Sequence, residues 1–258
     1  MTTTVYDRIN KLIVTDSRWS KDLTEFGYPG HVAYVDNSGF GKMCVRDDHV
    51  LTLAGNGMLI QHWKEWLSGD ISKPRPPILI DGTEAISLYI VKISNNEILF
   101  DKGQKLAATA IDDEGNKVIN AVFSGTGAPF AGNVWLQSGC ARTALEAAKV
   151  GDICTGGEVR YVDFTSGQRL LETDKHLISD VAEAFLQKGM IMDTTNPLSQ
   201  PVPINDQEVV HIRQLIANGN IVPCAPTGGK PVVWDEKSIS RLDAAIESIR
   251  RDEEACAK

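Results

Sequence analysis

The sequence predicts a layered α+β protein with antiparallel strands. Short β-rich stretches come in blocks joined by turn residues, and helical patterns fill separate blocks between them. The order is strands, helix, strands, two helices, strand, which is not the βαβ alternation of a parallel doubly wound sheet. A chain of 258 residues, 42% hydrophobic and 23% charged, suits one large domain and a sizeable core.

The elements follow in order. "TTTVYD" and "KLIVTDSRW" read as a hairpin with a two-residue turn at "NK". "HVAYVD", a turn at "NSG", then "KMCV" and "HVLTLAG" supply further strands over 31–54. From Asn56 the period becomes helical, with Leu59, Trp63, Trp66 and Leu67 on one face. "SKPRPP" breaks that helix. "AISLYIVKI", "SNN", "EILFD" and "KLAATAID" read as antiparallel strands with hairpin turns. "NAVFSGTGAPFAGNVWLQSG" is strand, Gly-rich turn and helix, with Pro129 in the first helical turn. "ARTALEAAKV" is a second helix for which Gly151 fits a C-terminal stop, and "EVRYVDF" is a strand.

Residues 165–258 differ in character from residues 1–164. A helix is expected around 172–188, a Pro/Asn-rich stretch at 196–205, a short helix near 206–217 and a Pro/Gly-rich loop at 223–231. A terminal amphipathic helix carries the stripe Ile239, Leu242, Ile246 and Ile249, with Asp235 as its N-cap. This segment is expected to complete the fold and to pack on the core or on a neighbouring subunit.

The net charge of −8 argues against nucleic acid and anionic membranes as partners. The five cysteines are scattered without a CxxC pair, and the five histidines lack HExxH spacing, so zinc is not expected. With no signal-peptide pattern and no run of eighteen apolar residues, a reducing, cytoplasmic setting is expected. Cys44 and His49, i and i+5 on a strand, point to opposite faces and make no thiol dyad.

A threonine at a processed terminus can bring its own base, because its free α-amine titrates near ~8 beside its own hydroxyl. Such a site also needs a cation near the hydroxyl, a carboxylate to orient it, a backbone N–H for the oxyanion and a small hydroxyl near the amine. Removal of Met1 would expose Thr2. Asp16, Lys42, Gly55 and Thr126 offer the remaining groups. Singly, each has an ordinary reading: a frayed terminus, a strand-end ion pair, a solvated lysine, a tight turn.

Taken together, "TTTVYD", "LIVTDSR", "FGKMCV", "LTLAGNG", "FSGTGAPFA" and "ALEAAKVGDICTGG" resemble proteasome β-subunits, HslV and bacterial proteasome-like proteins. The resemblance spans residue 2 to about 164. It implies the four-layer αββα sandwich of the N-terminal nucleophile (Ntn) hydrolases. Thr2 would be nucleophile and base, Asp16 and Lys42 its tuning pair, and Gly55 the oxyanion donor. Thr126 would stand where the family has the Ser of "GSG", Asp152 and Thr155 would match the Asp and Ser that hold the terminal amine, and Arg18 would be structural. Carbonyls of Gly151, Cys154 and Gly157 would match a structural Na⁺ or Mg²⁺ site; no other cofactor is implied.

The sequence departs from the family in three places. The first hairpin is two residues short, Asp16 to Lys42 is long, and Thr126 stands for a serine. The resemblance implies a cytoplasmic threonine peptidase or amidohydrolase acting on peptide or small amide substrates in a homo-oligomeric ring, with any ATPase partner unknown. The alternatives are a catalytically silent member acting in assembly or binding, and a small-molecule amidase.

Overall fold

A computed structural model describes residues 2–80, 84–196, 198–222, 224–225 and 232–256. Met1 and most of the loop expected at 223–231 lie outside the described residues. Strands β1 (Thr3–Asp7) and β2 (Leu12–Thr15) pair antiparallel with Asp7 opposite Leu12. Their connection is therefore Arg8 to Lys11, two residues longer than the turn expected at "NK". The Asp7 carboxylate closes it by accepting from Asn10 N (3.0 Å) and Nδ2 (2.8 Å), and Lys11 takes φ 54°.

Strands β3 (Trp19–Asp22), β4 (His31–Val35), β5 (Met43–Arg46) and β6 (His49–Asn56) follow. Helix α1 (Gly57–Ser68) starts where Asn56 Oδ1 accepts the N–H groups of Met58 (2.9 Å) and Leu59 (3.3 Å). Next come β7 (Leu79–Ile80), β8 (Glu84–Lys92), β9 (Glu97–Lys102), β10 (Gln104–Ile111) and β11 (Lys117–Gly125). Strands β8 and β9 form the expected hairpin, but β10 does not continue it. It crosses to the other sheet and pairs with β11. The crossing is made at Gly103, whose φ of 94° and contact with Ser87 leave no room for a side chain.

Helices α2 (Ala128–Ser138) and α3 (Ala141–Gly151) pack on each other. Gly151 was expected as a stop but is the last helical residue, and Asp152 is the C-cap. A Cβ at 151 would strike the Phe130 ring, so close packing rather than a left-handed turn requires glycine there. The remaining elements are β12 (Arg160–Asp163), β13 (Arg169–Leu170), α4 (Ile178–Lys188), β14 (Met190–Asp193), β15 (Val202–Pro203), α5 (Val210–Ala217), β16 (Cys224–Ala225) and α6 (Glu236–Cys256). Helix α4 begins later than the expected 172 because the Asp180 carboxylate accepts Leu177 N–H (3.1 Å) and fixes the first turn there.

The result is a mixed structure of helices and two antiparallel sheets. The first sheet runs β10-β11-β1-β2-β12-β13. The second runs β15-β14-β4-β3-β16-β6-β8-β7, with β5 also beside β6 and β9 beside β8. Side chains alternate as the strand period of two requires. Val5, Val14 and Phe123 meet Trp135 and Leu145 of α2 and α3, while their neighbours Tyr6, Ile13 and Val122 join Met43, Val50 and Tyr89 of the second sheet. Leu51, Leu53, Leu88 and Ile90 point the other way, into a cluster with Trp63, Phe185 and α6. Among the described residues no helix is long and apolar enough to cross a membrane.

Helix α6 covers this chain's own core. Leu242, Ile246 and Ile249 are buried, Ile239 is partly buried against them, and Asp235 caps Ser238 N–H at 2.7 Å. Asp252 accepts from Lys92 Nζ (2.6 Å) and lies 3.1 Å from His49 Nε2, tying the helix to β8 and β6. Leu242→Ala should cost about 2–5 kcal/mol in urea unfolding. Val150→Ala, at a 91% exposed position, should leave stability unchanged.

Burial pushes the His49 imidazole below its usual 6.5, against the opposing pull of Asp252. Below that pH the unfolded chain takes a proton that the folded chain refuses, so His49 costs stability as pH falls. The melting temperature should drop from about pH 7 to about pH 5 more in the wild type than in His49→Gln. An equal drop in both would show that His49 is not the acid-sensitive group.

Candidate active site

Register sets the site. Thr4 pairs with Thr15, so Thr2 and Asp16 emerge from the same end of β1 and β2. Asp16 N–H donates to Thr3 O at 3.2 Å and holds the two chains together past the last strand pair. On the other side β1 pairs with β11, Thr3 opposite Gly125. Gly125 has φ 84°, and a Cβ there would enter the Thr2 carbonyl. Thr2 is thereby clamped between two neighbours, and Gly125 was not among the expected site residues. Its signal was the first glycine after Ser124 in "SGTG".

Lys42 reaches the same point from the second sheet. It immediately precedes β5, and its carbonyl accepts Leu53 N–H of β6 at 2.8 Å. Lys42 Nζ donates to Thr2 Oγ1 (2.8 Å), Asp16 Oδ1 (3.1 Å) and Arg18 O (2.5 Å), which uses all three ammonium protons. Thr2 Oγ1 donates to Asp16 Oδ1 at 2.5 Å. Asp16 Oδ1 also accepts Thr3 N–H (2.9 Å), and Oδ2 accepts from Arg18 N (3.1 Å) and Gly156 N (3.2 Å). Thr2 and Asp16 are 0% exposed and Lys42 is 2% exposed. Burial lowers the Lys42 pKa, opposed by the adjacent Asp16. The hydroxyl thus donates a hydrogen bond to the Asp16 carboxylate and accepts one from the Lys42 ammonium.

A second cluster lies on the other side of the threonine run. Thr126 Oγ1 (2.5 Å) and Thr155 Oγ1 (2.7 Å) both donate to Asp152 Oδ2. Cys154 N–H donates to Asp152 Oδ1 at 3.2 Å. These are the three residues expected to gather around the amine. Their contact with the run is made through Thr3, whose Oγ1 lies 2.7 Å from Thr155 Oγ1. Gly127 makes this approach possible, because a Cβ there would collide with Thr3 and Thr155. The sequence reading passed over Thr3, which alternation places on the opposite strand face from Thr2 and Thr4.

Arg18 joins both clusters. Its guanidinium makes paired bonds to Asp36 (2.7 and 2.8 Å), donates to Ile153 O (2.6 Å), and lies 3.9 Å above the Tyr34 ring. The entry to β3, where the Arg18 carbonyl serves Lys42, is in this way fastened to the turn that carries Asp152 and Gly156. Asp36 and Tyr34 were also missed; no local spacing marks them.

Gly55 has φ 120° near the end of β6 and pairs with Ile86 of β8 and Ala225 of β16. Ile86 gives its N–H to Ile78 O (3.1 Å) and its carbonyl to the Trp234 indole (3.0 Å), both away from β6. In antiparallel pairing the Gly55 peptide then faces the opposite edge, toward Ala225.

Gly151 ends α3, and Cys154 and Gly157 lie on the turn after it, Gly157 with φ 70°. Among the described residues no three His, Cys, Asp or Glu side chains gather as metal ligands. The Cys44 thiol is pushed up to about 12 by burial, and His49 bonds Asp252 rather than a thiol.

Lys42→Met should destabilise by about 3–5 kcal/mol, since it strands the Asp16 charge in the interior. Adding Asp16→Asn to that variant should recover part of the loss, measured by urea unfolding. No recovery in the double variant would show that the two charges are not energetically coupled. No protein-family pattern and no curated protein matches this chain.

Proposed function

We propose that the chain is a threonine hydrolase of the N-terminal nucleophile type, acting on peptide or amide bonds through Thr2. The observation that carries the reading is the buried Thr2 Oγ1 held at 2.5 Å from Asp16 and 2.8 Å from Lys42. The arrangement of the cores supports the finer fold reading, an αββα sandwich. One cluster draws on both sheets, α2 and α3 cover the first, and α1, α4 and α6 cover the second.

In the proposed reaction Met1 is removed and the α-amine of Thr2 becomes the base. The Oγ1 proton passes to that amine as Oγ1 attacks the substrate carbonyl carbon. Lys42 steadies the developing alkoxide, and Asp16 keeps Lys42 charged and in place. The Gly55 N–H receives the oxyanion. Collapse returns the proton to the departing amine and leaves an ester on Thr2. Water repeats the sequence and frees the acid. Thr126, Asp152 and Thr155 would orient the backbone of the threonine run. A hard cation on the carbonyls of Gly151, Cys154 and Gly157 would brace the turn and take no part in the chemistry. A closed homo-oligomeric ring in the cytoplasm belongs to the same proposal.

One observation favours the silent alternative. Thr2 has no exposed surface, and the edge of β6 at Gly55 is already paired. Intact mass and labelling separate the readings. Loss of Met1, with labelling by a tripeptide vinyl sulfone that Thr2→Ala abolishes, is the expected result. Equal labelling of wild type and Thr2→Ala would sink the hydrolase reading. Retained Met1 with no labelling would favour the silent one.

A further inference from the structure

Strand β16 is unlike the rest of its sheet. It is two residues long, yet it lies between β3 and β6 and pairs antiparallel with both. Cys224 faces Ser20 on one side and Asn56 on the other, and Ala225 faces Gly55. Strands β6 and β8, by contrast, pair from His49 through Gly55. In the sequence Pro223 and Pro226 flank the pair. Neither carries an N–H to donate to a ladder.

Withdrawing β16 would leave β3 and β6 two strand spacings apart, about 9.5 Å. A gap of that width accepts one extended chain, which would find hydrogen-bonding edges on both sides. The gap also has chemistry at its ends. Strand β3 begins beside Arg18, whose carbonyl holds Lys42, and Gly55, next to last in β6, turns its peptide into the gap. The occupant's side chain is accommodated as well: Ala225 is 0% exposed and joins the apolar cluster that contains Trp19 and Leu53.

We propose that Cys224–Ala225 is a built-in occupant of the substrate cleft, holding the protein in a self-occluded state until the strand withdraws. The proposal rests on the hydrolase reading for its functional meaning. The occlusion itself stands on the pairing of β16 with β3 and β6. While Ala225 is in place, the Gly55 N–H is spent and no acyl group can lie along β6 beside Thr2. The tie is weak by sheet standards, because three residue pairs hold it. Segments of this kind open at a fraction of the global unfolding free energy.

Two variants test it. Ala225→Pro removes the Ala225 N–H and with it part of the ladder. Labelling of Thr2 by a tripeptide vinyl sulfone should accelerate about tenfold, the size expected for losing one or two net hydrogen bonds. Amide exchange at Gly55 should accelerate in parallel. Ser20→Cys, opposite Cys224 across the β3–β16 pair, is placed to form a disulfide that locks the strand. Oxidation should suppress labelling and slow that exchange, and a reducing agent should restore both. This second variant keeps the test decisive if the proline variant fails to fold. Exchange at Gly55 that responds to neither variant would overturn the occlusion. Absence of labelling in every form, with exchange responding as expected, would instead overturn the hydrolase reading and leave the occlusion standing.

Discussion

Two opposite charges, Asp16 and Lys42, are held 3.1 Å apart with almost no exposed surface. Taking such a pair out of water costs several kcal/mol per ion, and their mutual attraction repays this only when every remaining donor and acceptor is matched. Here the matching is complete on both sides: the carboxylate collects five donors and the ammonium spends its three protons. The partners come from the threonine run, the start of β3, the entry to β5 and the turn after α3. Those four segments must therefore arrive together, and the architecture around them is arranged so that they do.

The two sheets supply opposite halves of that arrangement. The first, through the registers of β1 with β2 and β11, fixes Thr2 and Asp16 at one strand end. The second brings Lys42, at the entry to β5. Arg18 crosses between them, and its contacts with Asp36, Tyr34 and Ile153 keep the β3 backbone from drifting. In the proposed hydrolase, a hydroxyl held in this manner would lose little further freedom on reaching a reactive geometry. In the proposed occluded state the cost is access, because β16 would lie across the approach.

Much of this was legible in the sequence, for identifiable reasons. Period-two runs such as "KLIVT" and "HVLTLAG" gave the strands, and the stripe Leu242, Ile246, Ile249 gave α6 and its buried face. Asp16 and Lys42 were found through a resemblance carried by several motifs in order; neither stands out alone. What escaped the reading was decided by tertiary pairing. The fate of β10 turned on one glycine whose need is visible only against Ser87. Strand β16 is too short to show any period, and Thr3 and Asp36 act through partners more than a dozen residues away.

The single-residue passage at Gly103 has a consequence for folding. Strand β9 ends in the second sheet at Lys102 and β10 begins in the first at Gln104, so no slack separates the sheets there. Neither sheet can complete its hydrogen bonding while the other is displaced by more than a strand's width. The chain thus couples assembly of its two halves through its own covalent backbone, which favours an all-or-none transition over separate melting of each sheet. Lengthening that joint would relax the coupling while leaving every side-chain contact in the core unchanged.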